Sequence, residues 1–98
     1  MHDYRVTFSA VSGTPLSQDA TERLWEALTA IPGAEGVDDT GQDPGTDTIT
    51  ATFWIKVRLG MADAARDGSR LAKEALKVAG MGEAQLTELA VSLRPRPE

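Results

Sequence analysis

The sequence predicts an α+β domain in which a four-stranded antiparallel sheet carries both of its helices on one face. Three observations lead there. Residues 4–11 and 48–59 alternate apolar and polar side chains with the period of a half-buried strand. Residues 20–31 and 62–79 repeat apolar side chains at helical spacing, on one side only. The resulting order is strand, helix, strand, strand, helix, strand. It is satisfied by one sheet whose single apolar face takes both helices.

In the first strand Tyr4, Val6, Phe8 and Ala10 point one way, and Arg5, Thr7, Ser9 and Val11 the other. The loop SGTPLSQ follows. Asp19 and Glu22 stand three residues apart, the spacing of a capping box, ahead of Ala20, Leu24, Ala27, Leu28 and Ile31. Pro32 and Gly33 stop that helix. Trp25 projects to the margin of the apolar stripe, where it should pack at a boundary. The next stretch has Val37 as its single large apolar residue and reads as a short edge strand.

The third strand is the clearest. Ile49, Ala51, Phe53, Ile55, Val57 and Leu59 form one face, and Thr48, Thr50, Thr52, Trp54, Lys56 and Arg58 the other. Gly60 ends it. The second helix has a polar stripe of Asp63, Arg66, Asp67, Arg70, Lys73, Glu74 and Lys77. Opposite lie Ala64, Ala65, Gly68, Leu71, Ala72, Ala75, Val78 and Ala79. Side chains this small predict a close approach to the sheet. Gly68 costs about 1 kcal/mol against alanine within a helix, and such an approach is the simplest reason for it. Gly80 is placed to cap the C-terminus. The last strand, within residues 84–94, should turn Leu89, Val91 and Leu93 inward and Leu86, Glu88, Ala90, Ser92 and Arg94 outward.

Residues 1–94 thus form a single domain, and 95–98 a frayed tail. The βαββαβ order resembles the ferredoxin-like superfold throughout, with spatial strand order 4-1-3-2. That superfold hosts many unrelated functions, so any function must be argued from a site.

Composition removes several classes. Without cysteine there are no disulfides, thiolate nucleophiles or sulfur-bound metals. The N-terminal MHDYRVTF lacks the basic and apolar regions of a signal peptide, and no run approaches the roughly 18 apolar residues of a membrane span. A cytoplasmic protein with no membrane partner is expected. Asparagine is absent and arginine outnumbers lysine seven to three, usage that GC-rich bacterial codons would give. Of the net charge of −5, all is accounted for by Glu35, Asp38, Asp39, Asp43 and Asp47, because the other ten acids balance ten bases. A basic face for duplex nucleic acid is missing.

That acidic segment, GVDDTGQDPGTDT at 36–48, fails as a calcium loop. Thr40 and Gln42 stand where Asp38 would need further carboxylates or amides at the second and fourth positions beyond it. The match of GTDTIT to half a calcium-binding repeat is a single copy of a motif that works by stacking. A hairpin loop with the charges that discourage edge pairing is therefore preferred to weak calcium binding at residues 38–47. No metal or other cofactor is expected.

With both helices on one side, the other side of the sheet stays open. Trp54 stands mid-strand on it, with Thr50 and Thr52 beside it and Arg5, Lys56 and Arg58 as a locally basic surround. Aromatic and arginine side chains are enriched in interfaces. The RNA-binding signature of an RRM third strand is not matched by TATFWIKV, which offers one outward aromatic and no glycine pair.

Catalytic chemistry finds little support. His2 is the one histidine, beside a terminus expected to fray, and no serine has a histidine partner within any plausible element. Acylphosphatases share this fold and size, but the loop after the first strand lacks their arginine and the chain lacks their asparagine. Small cofactor-independent monooxygenases pair two such domains, and of their usual Asn, Trp and His only Trp54 has a counterpart. Glu88, Arg5 and Arg94 on one face would be the remaining acid–base set.

The expected function is a non-catalytic interaction module that binds a second copy or another protein through Trp54, Arg5, Lys56, Arg58, Thr50 and Thr52. The alternative is a small-molecule-binding or cofactor-independent enzyme domain with its pocket between the two sheets of a dimer.

Overall fold

A computed structural model describes residues 2–13, 16–42, 47–58 and 60–93. Leu59, Arg94, Asp43, Thr46 and the tail at 95–98 lie outside the described residues.

The elements follow the expected order: β1 (His2–Val11), α1 (Ala20–Ala30), β2 (Gly36–Gln42), β3 (Thr48–Val57), α2 (Met61–Val78) and β4 (Gln85–Leu93). The sheet runs β2-β3-β1-β4, the expected 4-1-3-2 read from its other edge, and all neighbours are antiparallel. This is the ferredoxin-like fold. The two best-patterned strands are the central pair, in unbroken register from His2 opposite Val57 to Val11 opposite Thr48. His2 is the first paired residue of β1, where fraying was expected.

One core fills the space between sheet and helices. Tyr4, Val6, Phe8 and Ala10 from β1 and Ile49, Ala51, Phe53, Ile55 and Val57 from β3 are buried against Leu24, Leu28, Leu71 and Leu76. Phe8 and Phe53 meet edge to face, 6.1 Å between centroids. The close approach of α2 is real: a Cβ added to Gly68 would fall 2.9 Å from both methyl carbons of Val6.

Four local expectations are corrected. Asp19 does not cap α1 with its side chain. Its carboxylate instead accepts the Ser17 hydroxyl at 2.7 Å and lies 3.7 Å from Arg23 Nε. Val78 is exposed and Leu76 takes the buried place on α2. Leu93, the last residue of the edge strand β4, is exposed as well. Leu86 faces the core rather than the open side, because β4 carries a bulge. Ser9 pairs with Glu88 but Ala10 pairs with Leu86, leaving Thr87 as the extra residue.

β2 has the same device. Val37 pairs with Phe53 and Asp39 with Thr52, so Asp38 is extra. Each edge strand therefore turns two consecutive residues to the open side at its bulge, Asp38 with Asp39 and Thr87 with Glu88. β2 and β3 pair antiparallel, as the hairpin reading of the acidic segment expects, while its tip at 43–46 lies outside the described residues.

Candidate functional site

The register writes the open face out row by row. Asp3 lies opposite Lys56. The next row is Ser92, Arg5, Trp54 and Gly36, from β4 across to β2. Below it run Ala90, Thr7, Thr52 and Asp39, and then Glu88, Ser9, Thr50 and Gly41. Trp54, Arg5, Thr50 and Thr52 are thus brought together as expected, and all four are half-buried. Lys56 is exposed at the end of the same face. Arg58 is not part of the array: β3 ends at Val57 and Arg58 lies in the bend beyond.

Trp54 is placed by its neighbours. Gly36 directly opposite has no side chain, and a Cβ there would rest 3.9 Å from Trp54 Cδ2. The indole therefore has bare backbone beside it on the β2 side. On the other side stands Arg5, whose Nε lies 3.2 Å from Asp38 Oδ2. The two atoms are close without the alignment of a hydrogen bond, so this is an ion pair held by charge. Half exposed, it contributes no more than about 1 kcal/mol.

The middle of the face is neutral and hydroxyl-rich. Thr7 Oγ1 and Thr52 Oγ1 are 3.0 Å apart across the central pair. Thr50 Oγ1 donates to Gly41 O at 3.4 Å, and Thr87 Oγ1 to Ser9 O at 3.3 Å. The expected locally basic surround is corrected here. Asp38 pairs with Arg5, Asp3 faces Lys56 across the ladder, and Asp39 and Glu88 lie at the two edges. Acids outnumber bases on the face, and Arg5 beside Trp54 is the charged residue nearest its middle. Such a face has little attraction for a polyanion.

Asp38 belongs to this site, although the sequence places it only in the acidic corner. A bulge brings it over Arg5, and an alternation count that assumes regular pairing cannot reveal it. The rest of the acidic corner is dispersed. Asp47 Oδ2 accepts the Gly13 amide at 3.2 Å, some distance along the chain from Asp38 and Asp39. Among the described residues no group of three or more His, Asp or Glu side chains converges as a metal site. No helix among them is long and apolar enough to cross a membrane.

No family model and no curated protein matches this chain. Solved structures do match it, over nearly the full length. A structural-genomics protein designated YJCS superposes with a TM-score of 0.59 at 10% identity, over 95% of this chain and 99% of that one. A candidate antibiotic biosynthesis monooxygenase from Chloroflexus aurantiacus gives a TM-score of 0.51 at 14% identity, over 98% and 96%. What these proteins share with this chain is the fold.

Proposed function

We propose that the chain is a self-associating module in which a second copy covers the open sheet face around Trp54. The observation that carries this reading is the distribution of charge on the face. A centre of Trp54, Thr7, Thr52, Ser9, Thr50 and Ala90, where Arg5 beside Trp54 is balanced by Asp38, is bordered by Asp3, Lys56, Asp39 and Glu88. Interfaces have this anatomy, a desolvated middle inside a charged rim. The size is suitable too. Four strands at the usual ~4.8 Å spacing and ~3.4 Å per residue offer a face of roughly 19 by 30 Å, of the order of the ~800 Å² each partner commonly contributes.

A second copy is the occupant that fits best, because around Trp54 Arg5 is paired with Asp38 and Lys56 lies opposite Asp3, so two copies can meet there without like-charge repulsion. A twofold axis lying in the plane of the interface, across the strands, sets the Asp3 and Lys56 end of each protomer over the Glu88 end of its partner. In this arrangement Trp54 is the anchor, and Thr50 and Thr52 fill the surface beside it. Replacing Trp54 with alanine should weaken association by about 2 kcal/mol or more, roughly thirtyfold, with helicity by circular dichroism unchanged. An unfolded Trp54→Ala protein would instead make Trp54 part of the core and sink the proposal.

A second reading is supported by the fold likeness to the candidate monooxygenase: the space between the two sheets holds a small molecule. A metabolite screen read by melting temperature tests it. It is favoured by a ligand whose stabilising effect disappears in the Trp54→Ala variant.

A further inference from the structure

We propose that the groove between α2 and β4 binds a small amphiphilic carboxylate, its head held by Lys73 and Lys77 and its chain laid over Leu86 and Leu89. The groove has a volume of about 730 Å³, within the usual range for small-molecule sites. It lies on the helix-covered side of the sheet, away from Trp54, and the proposal stands independently of self-association.

The groove has a physical origin. Gly68 lets α2 close tightly onto Val6 of β1, the strand beside β4. Tyr4, Val6, Phe8 and Ala10 of β1 and Ile49, Ala51, Phe53, Ile55 and Val57 of β3 are buried, whereas Leu86, Leu89 and Val91 of β4 are only half-buried. The β4 bulge matters as well. It returns Leu86 to the same side as Leu89, three residues away, so both form the apolar wall. Gly82 lies at one end of the groove beside Lys77, where an added Cβ would make ordinary contact, 3.7 Å from Lys77 Cα.

The polar wall carries unmatched charge. Lys73 and Lys77 sit one helical turn apart on α2, where like charges repel. Among the described residues neither lies within ion-pair distance of a carboxylate: Glu74 pairs with Arg70, and Glu88, which also lines the groove, makes no ion pair with either lysine, so the lining keeps a net positive charge. A carboxylate between the two ammonium groups relieves that repulsion and gains charge-assisted hydrogen bonds. Lysine provides point charges rather than the planar fork of arginine, so the head is held by charge and not by bidentate geometry. Lysine stems also extend the apolar surface that an alkyl chain can cover.

The test uses sodium decanoate as the probe, titrated into the full chain and followed by backbone amide NMR. Saturable shifts are expected at Lys73 to Lys77 and Gln85 to Leu89. The exposed double substitution Lys73→Gln/Lys77→Gln should weaken binding at least about tenfold, and decan-1-ol should bind the wild type more weakly by a similar factor. The proposal is overturned by an absence of saturable shifts at millimolar decanoate. It is equally overturned if the double variant binds as tightly as wild type, or if the shifts centre on Trp54.

Discussion

At the scale of single residues, Gly68 is the clearest case of a side chain fixed by its surroundings. Alanine there gains about 1 kcal/mol of helix propensity but drives a Cβ to 2.9 Å from both Val6 methyls. Val6 cannot rotate away cheaply, because a β-branched side chain is stiff about its first torsion. Overpacking costs about 1–3 kcal/mol, so Gly68→Ala should lose about 1 kcal/mol net in urea denaturation. Adding Val6→Ala should cost less than the sum of the two single changes. Strict additivity would mean that the approach is not tight. Asp19 yields a different prediction. The hydroxyl donated by Ser17, helped by Arg23, holds its carboxyl below the ordinary range, outweighing the partial loss of solvent that acts upward. A depressed value stabilises the fold above the unfolded pKa of about 3.9 and loses that contribution as pH falls through the folded value. In a carboxyl-carbon NMR titration the Asp19 midpoint should rise towards normal in Ser17→Ala, and by less in Arg23→Gln. The role of Gly68 is legible in the sequence, because a glycine among alanines on the buried stripe of a helix signals close packing. The Arg5–Asp38 pair is not, since it depends on a register shift that neither residue announces.

At the scale of elements, the edge strands differ most from what their sequence suggests. Alternation counting assumes one residue per pleat, and each bulge breaks that parity once. It therefore puts Leu86 on the open side. The clue lies in the spacing: Leu86 and Leu89, three apart, point the same way in a strand only across a bulge. Val78 differs for another reason, since its apolar identity suggests burial while the helical angle favours Leu76. The bulges and their charges leave both edges poor templates for pairing. Deleting Thr87 should restore regular alternation, keep Leu86 inside and flatten the edge. The protein should then fold but scatter more light on standing than wild type. An unchanged scattering curve would remove the protective role. The end of α2 follows the sequence. Gly80 adopts φ +83°, with its amide on Lys77 O at 3.1 Å and the Met81 amide on Leu76 O at 2.7 Å, both orphan carbonyls of the last turn. Gly80→Ala should cost about 1–2 kcal/mol by the same denaturation assay, because alanine resists the left-handed conformation.

At the scale of the whole molecule, the fold is set by two amphipathic helices that share one side of one sheet. That much is legible because both helices and both central strands carry strong periodicity. The consequence for function lies on the uncovered side, where the sequence correctly groups Trp54, Arg5, Thr50 and Thr52 but misleads about the charge around them. Bulged, charged edges disfavour lateral growth, and the proposed self-association uses the open face instead. Face-to-face pairing is the association consistent with such edges. The measurement that tests it most directly is sedimentation equilibrium over a hundredfold dilution, with wild type, Trp54→Ala and Trp25→Ala run side by side. Wild type and Trp25→Ala should have the mass of a dimer that dissociates together at low concentration, and Trp54→Ala should be a folded monomer throughout. A wild-type monomer at every concentration, or a Trp54→Ala dimer as tight as wild type, would contradict self-association through this face.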